Sequence, residues 1–302
     1  MKSNNSYDVL IIGGSYAGLS AAMSLGRALR NVLVIDGGKP CNRQTPYSHN
    51  FLTHDGKTPA EIAKLAKTQV SAYPTISFTN AIAINGKKTA VGFEIELASG
   101  KIVNGQKLIF STGIKDVLPE IKGIQECWGI SVLHCPYCHG YEVRNMPTGI
   151  LGDGDYAYEF ARFLTNWTRE ITIYTNGKTT LKEDQLHVLQ QHKITIEENK
   201  IEALLHEQGQ LKALLFKDGT ESSLHVLYTH APFEQHCSIP QQLGCTLTEQ
   251  GYIEVDEMQR TTIANVYACG DNCSPKRTVA NAVASGGIAG MLLNKEFVFE
   301  NL

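Results

Sequence analysis

Long apolar runs are missing from this chain of 302 residues. No stretch approaches the about 18 or more apolar residues expected of a membrane-spanning helix, so no membrane partner is expected. A surplus of positive charge is missing as well. Lys and Arg number 27 against 30 Asp and Glu, a net charge of −3 with His neutral. That leaves no basic footprint for nucleic acid and none for anionic lipid. Cysteine is too sparse, eight in the whole chain, for a small disulfide-stapled fold. The polar start, MKSNNSY, has neither the apolar region nor the cleavage site of a secretory leader. A cytoplasmic location is therefore the expectation, and there most thiols stay free.

Two of the few cysteines nevertheless stand close together, in His134-Cys135-Pro136-Tyr137-Cys138-His139-Gly140-Tyr141-Glu142. A pair spaced this way can close a small disulfide and reopen it, provided one sulfur is attacked as the other leaves. The thiolate is the reactive form, so a nearby acid–base group helps. His139 and Glu142 are two such groups, and an ordinary histidine, with a pKa of about 6.5, could serve as either partner near neutral pH. The bland alternatives are half a zinc site, completed by His134 or His139, and a pair of inert buried thiols. A structural zinc wants four ligands at motif spacing, and no second cysteine pair lies in reach, so no metal is expected. Cys41, Cys269 and Cys273 are read as thiols without a redox role.

The rest of the chain says what surrounds the pair. Length alone leaves room for two domains. Asp8-Val9-Leu10-Ile11-Ile12 is an unbroken apolar run, the mark of a parallel strand buried on both faces. It opens into Gly13-Gly14-Ser15-Tyr16-Ala17-Gly18, then a helix to about Leu29, then the strand Val32-Leu33-Val34-Ile35 closing on Asp36. A strand, a glycine turn, a helix and a strand with a terminal acid make one unit for holding a dinucleotide. The turn lets a pyrophosphate approach backbone N–H groups, and the acid meets the adenosine ribose. Ser15 stands where the usual pattern has its second glycine. Further helix is expected from Ala60 to Tyr73. Strand material is expected from Ile76 to Leu97, with turns at Asn85-Gly86 and Ser99-Gly100. The strand Lys107-Leu108-Ile109-Phe110 then ends in the small residues Ser111-Thr112-Gly113, which permit close approach of a ligand.

The pattern restarts after Lys115. Gly149-Ile150-Leu151 opens into Gly152-Asp153-Gly154-Asp155-Tyr156-Ala157, followed by a helix to Trp167 and the strand Ile171-Thr172-Ile173-Tyr174. No acid ends this strand, and no arginine pair follows to take the 2′-phosphate of NADP. Ala231-Pro232 reads as a return linker. Asn265-Val266-Tyr267-Ala268-Cys269-Gly270-Asp271 reads as a strand ending on a carboxylate. The small-residue helix from Arg277 to Gly287 suits packing under a large planar cofactor.

In this order, GGSYAG, Asp36, STG, CPYC, GDGDYA and YACGD resemble the low-molecular-weight thioredoxin reductase family over nearly the whole chain. The resemblance implies an α/β fold of two Rossmann-like three-layer nucleotide-binding domains, one inserted in the other. Residues 1–115 and 234–302 would form a split FAD-binding domain, and residues 116–233 an NAD(P)-binding-like domain carrying the dithiol. It implies FAD held by Gly13, Ser15, Tyr16, Ala17, Gly18, Asp36, Asn50, Thr112, Gly113, Gly270, Asp271, Arg277, Thr278 and Val279. It also implies NADPH or NADH at Gly152, Gly154 and Asp155. Cys138 would face the flavin, Cys135 would attack the substrate, and His139 and Glu142 would assist. A homodimer follows from the same likeness.

The family usually has an aspartate where this chain has His139. CPYCHGYE is similar to the subgroup that oxidises small natural-product dithiols, of the gliotoxin and holomycin type. The expected activity is an FAD-dependent, NAD(P)H-linked disulfide oxidoreductase acting on a thioredoxin-like protein or a small disulfide. A dithiol oxidase using oxygen is the alternative, and a non-catalytic flavin redox sensor is the reading from another class.

Overall fold

The structure, a computed structural model, describes residues 6–300. The polar lead before Ser6 lies outside the described residues. The chain divides into two compact units. One comprises Met1–Arg43, Phe51–Lys115 and Phe233–Leu302, and the other Gln44–Asn50 and Asp116–Pro232. The short segment Gln44–Asn50, which sequence reasoning assigned to the first domain, goes with the second unit.

The first unit begins with strand β1 (Ser6–Ile12), helix α1 (Tyr16–Arg27), strand β2 (Val32–Asp36), helix α2 (Pro59–Ser71) and strand β3 (Ile76–Asn80). A hairpin of β4 (Ala83–Thr89) and β5 (Gly92–Leu97) follows, then the long strand β6 (Ile102–Phe110). Strands β3, β2, β1 and β6 are parallel neighbours in that order. The first half of β6 pairs antiparallel with β5. Strand β7 (Ile114–Asp116) then leads out of the unit.

The second unit holds helix α3 (Ile124–Cys127), strand β8 (Val132–Leu133), the short helix α4 (Pro136–His139), strand β9 (Thr148–Leu151), helix α5 (Gly154–Leu164), strand β10 (Ile171–Tyr174), helix α6 (Glu183–Gln191) and strand β11 (Thr195–Glu197). Strands β12 (Ile201–Glu207), β13 (Gln210–Phe216) and β14 (Glu221–Ser223) form an antiparallel layer, and β15 (Val226–Thr229) completes a parallel sheet ordered β11-β10-β9-β15-β8. Strand β16 (Phe233–Gln235) pairs with β7 as a two-stranded ribbon at the two chain crossings. The chain ends with α7 (Ile239–Gln242), β17 (Val266–Ala268) and α8 (Val279–Glu300) in the first unit. Strand β17 runs parallel to the second half of β6.

Both units are three-layered, and the alternation of side chains along each strand explains why. In the first unit, Val9 and Ile11 of β1 enter a core with Leu19, Ala21, Ala22 and Leu25 of α1 and Ala289 and Leu293 of α8. Their neighbours Leu10 and Ile12 enter the opposite core with Phe93, Ile95 and Ile239. In the second unit, Leu133, Ile150 and Ile173 pack beneath α5 and α6. Leu151 and Leu227 pack against the antiparallel layer through Leu204, Leu211 and Leu214. The expected Rossmann-like architecture is what the chain forms.

One local expectation fails. Asn85-Gly86 is not a turn. It lies within β4 at an irregularity in its pairing with β5, and the reversal comes after Thr89. Gly86 is a glycine for a packing reason, since a Cβ there would come within 2.5 Å of the Ile239 Cγ2 atom. Residues Gly251 to Asp256 form no strand, only isolated bridges from Ile253 to Leu247 and from Val255 to Thr261.

The terminal helix is tied to the central sheet by a buried charge. Lys107 of β6 is 2% exposed. Its ammonium lies 3.2 Å from Glu296 Oε2 and 2.6 Å from Glu300 Oε1 on α8, and 4.8 Å from the centre of the Phe297 ring. A buried ammonium is tolerated only when it is paired in this way.

Candidate active site

The first glycine turn is built for close approach. Gly13 has φ +104°, and a Cβ there would run into the Ser111 carbonyl. A Cβ on Gly18 would run into the Gly13 carbonyl. Ser111 Oγ donates to the Gly13 carbonyl at 2.7 Å and so pins the turn to the end of β6. Helix α1 then starts with Ser15 as its N-cap residue, with no side-chain cap and no acid in the first turn. Its leading N–H groups thus receive no capping bond from Ser15 and no acid stands within the first turn, the arrangement that accepts a phosphate. Asp36, at the end of β2, accepts a hydrogen bond from the Gly14 N–H at 3.1 Å, which sets its carboxylate beside the turn. Tyr16 donates to the Pro59 carbonyl at 3.2 Å.

Residues some 250 positions later arrive at the same place. Gly270 has φ +84°, and a Cβ there would lie 3.0 Å from the Ala17 Cβ. Its N–H donates to Ser285 Oγ on α8 at 3.0 Å. A Cβ on Gly286 would run into the Ala17 carbonyl, so α8 can lie against α1 only because both residues are small. Asp271 follows, 3.9 Å from the Cys41 sulfur. Asn272 is fully buried and donates to the Phe110 carbonyl at 2.9 Å and to Thr112 Oγ1 at 3.3 Å. Its side-chain oxygen is left with no partner among the described residues. Gly113 sits at φ +63°. Thr278 Oγ1 accepts the Asn281 N–H at 3.1 Å just where Val279 begins α8, with Arg277 immediately before. These residues fit FAD: an uncapped helix start, a ribose-side carboxylate and an unsatisfied buried oxygen line one cradle. Burial raises Cys269, and burial together with the Asp271 charge pushes Cys273 up to about 12.

In the second unit Cys135 and Cys138 form a disulfide, with Cα atoms 5.3 Å apart. Pro136 occupies the first helical position of α4, where a missing N–H costs nothing. Cys135 Sγ accepts the Cys138 N–H at 3.2 Å. Gly140 lets the chain turn off α4, since a Cβ there would lie 2.6 Å from the Pro136 carbonyl and 2.9 Å from the Trp167 indole. Burial, with a smaller contribution from the neighbouring His49, pushes His139 down to about 4. This differs from the near-neutral value its sequence position suggested: burial disfavours the charged form, so the imidazole is neutral at physiological pH. Glu142 Oε1 lies 3.5 Å from His49 Nε2. His49 was not among the expected site residues. It sits in the short segment that joins the second unit, and no spacing pattern connects it to the cysteines. Asn50, adjacent to it, has φ +59° and is likewise grouped with the second unit.

Residues 7–286 match the pyridine nucleotide-disulphide oxidoreductase family. The chain belongs to that family. Among its relatives is a thioredoxin reductase, tcpT, of Claviceps purpurea, 34% identical, with 99% of this chain and 96% of that protein covered. Among solved structures, an oxidoreductase from Agrobacterium tumefaciens matches with a TM-score of 0.91 at 36% identity, covering 97% of this chain and 99% of that one. The structure of HlmI matches with a TM-score of 0.93 at 27% identity, covering all of this chain and 95% of that one. The chain is thus a thioredoxin reductase-like disulfide oxidoreductase, of a family that uses FAD and a nicotinamide dinucleotide.

The second glycine turn fits its dinucleotide poorly. The ring of Tyr156 covers Gly152, so that a Cβ there would lie 2.8 Å from the Tyr156 Cε1 atom. Two carboxylates flank the start of α5. Asp153 accepts from Thr179 Oγ1 at 2.8 Å, and from the N–H and Oγ1 of Thr180 at 2.8 and 2.7 Å. Although burial opposes it, these bonds and one from the Gly154 N–H hold Asp153 below the usual carboxylate range. Asp155 is kept low by Gln185 and Lys182. Negative charge at a helix start, where a pyrophosphate would lie, competes with that ligand. Gly154, at φ +60°, keeps the shape of such a turn, but the space and the charge around it do not suit a phosphate. Among the described residues no cluster of side chains could hold a metal, and no helix is long and apolar enough to cross a membrane.

Proposed function

We propose that the chain passes two electrons between FAD and the Cys135–Cys138 pair, and between that pair and a thioredoxin-like protein or a small organic disulfide or dithiol. The observation that carries this reading is a disulfide set at a helix start beside an imidazole that is neutral at physiological pH. In the direction of dithiol oxidation, one substrate thiolate attacks Cys135 Sγ, forming a mixed disulfide and releasing Cys138 as its thiolate. The second substrate thiolate then attacks its own mixed-disulfide sulfur and frees Cys135. The substrate has lost two electrons and two protons, and the protein pair has gained the electrons. Substrate reduction is the same sequence reversed. His139 takes the proton from an attacking thiol, and Glu142 lies beside His49, 3.5 Å from its Nε2. Bound FAD would supply the two-electron acceptor or donor for the pair, and Gly13, Ser15, Gly18, Asp36, Asp271, Arg277 and Thr278 would hold it.

The covered glycine and paired carboxylates of the second turn favour a second reading, in which a small dithiol is the electron source and oxygen the final acceptor. The deciding experiment mixes the oxidised holoenzyme anaerobically with NADPH, NADH and dithiothreitol in turn. Bleaching by either nicotinamide supports the reductase reading. Bleaching by the dithiol alone supports the oxidase reading, and no bleaching by any of the three defeats both. A homodimer in the cytoplasm fits the exposed apolar residues Met291 and Phe299 on α8 and the six free cysteines among the described residues. Sedimentation of the same sample tests the dimer.

A further inference from the structure

Aromatic side chains on α5 recur at Tyr156, Phe160 and Phe163, and Trp167 follows one turn beyond its end. These positions share one helix face. The rings form a continuous series, with centroids 5.5 Å apart for Tyr156 and Phe160, 6.3 Å for Phe160 and Phe163, and 5.2 Å for Phe163 and Trp167. The series ends on the redox helix. Tyr137, the residue between Pro136 and Cys138, lies 5.7 Å from both Phe163 and Trp167 and meets the indole edge-on. Tyr156, Phe160 and Trp167 are half-buried against the core of the unit, and the stripe is open only at its end. Tyr137 is 64% and Phe163 40% exposed. Phe163 also forms one wall of a shallow depression of about 530 Å³ lined by Glu159, Arg162, Thr165 and His192.

We infer that the Tyr137–Phe163–Trp167 wall, with its adjoining depression, selects a small organic dithiol or disulfide that carries an aromatic ring. This rests on the disulfide-exchange reading above. The reacting sulfur of any substrate must come into bonding contact with Cys135, one residue before Pro136-Tyr137, so a group attached to that sulfur lies over or beside the Tyr137 ring. The exposed faces of Tyr137 and Phe163 offer an aromatic substituent offset or edge-to-face contacts, the favoured arrangements for such pairs. The depression is open on one side, so it would receive one end of such a molecule and leave the rest to the exposed rings. Arg162 gives a carbonyl or carboxylate on the same molecule a donor to meet, the Thr165 hydroxyl being spent on the Arg162 carbonyl. The wall is a specificity element. It moves no proton and no electron.

The test compares two reductants of the oxidised holoenzyme under anaerobic conditions, dithiothreitol and 1,2-benzenedimethanethiol. The wild type is expected to reach half-saturation at a concentration roughly tenfold lower for the aromatic dithiol, in line with one or two added ring contacts. In Tyr137→Ala and in Phe163→Ala that ratio falls toward one, while Tyr137→Phe keeps it. Both residues are exposed, so the variants keep their fold. Quenching of Trp167 emission by the cyclic disulfide form of the aromatic compound gives a second readout that needs no turnover, and it is expected to weaken in both alanine variants. An unchanged ratio across wild type and variants overturns the inference and leaves the exchange chemistry standing. So does a Tyr137→Ala variant impaired only toward reduced thioredoxin, which would make the wall a protein-docking face. Failure of both dithiols to bleach the wild-type flavin likewise overturns the inference, and the exchange reading itself falls only if NADPH and NADH fail as well.

Discussion

His139 stands directly after the second cysteine of the pair, and folding takes its ring out of water. An unfolded histidine binds its proton near pH 6.5, whereas burial holds this one near 4. Between those values the unfolded chain carries a proton that the folded chain does not, so acid favours unfolding. The contribution of this group to stability is whole above about 6.5 and is lost progressively as the pH falls toward 4. In urea titrations, His139→Asn is expected to show a smaller loss of midpoint than the wild type between pH 7 and pH 4.5. The residue's presence was plain in CPYCHGYE, but its depressed basicity was not. That depends on the surrounding burial and on His49, which comes from a segment about 90 positions earlier and gives no sign of its destination.

At the scale of elements, the contact between α1 and α8 organises the first cradle. It is made possible by Gly286 and Gly290, where a Cβ would strike the Ala17 and Ala21 carbonyls respectively. Gly286→Ala should force the helices apart, lowering stability by about 1–3 kcal/mol, as overpacking does, and loosening the Gly270-Asp271 turn that hangs from Ser285. Urea unfolding together with the flavin content of the purified protein checks both effects. The small-residue run from Arg277 to Gly287 signalled tight packing, and its partner is α1. Strands β1, β2 and β6 were legible because buried parallel strands are apolar throughout. The β4–β5 hairpin was misread because Asn-Gly is a strong turn signal, and here the glycine answers instead to Ile239 on a distant helix.

For the whole molecule, order along the chain carried most of the fold: two glycine turns, a dithiol between them and a late Gly-Asp pair. What the sequence concealed is how the second turn is filled. Gly152 and Gly154 keep the spacing of a phosphate site, but the Tyr156 ring and the bond from Asp153 to Thr179 and Thr180 arise from contacts between elements. The other long-range tie is Lys107. Replacing both Glu296 and Glu300 by Gln would leave its ammonium buried and unpaired, and stability should fall by about 3 kcal/mol in chemical denaturation, with Lys107→Met in the same background restoring much of it.

That tie also sets an order of events during synthesis. Lys107 and Glu296 are 189 residues apart. At about 5–20 residues per second, roughly ten to forty seconds separate their appearance on the ribosome. Until the last turns of the chain exist, the middle strand of the first sheet holds a charge it cannot bury. The inserted unit, contiguous except for Gln44–Asn50, has all its strands by Thr229 and is free to fold first, so the protein that surrounds it in sequence is the part completed last.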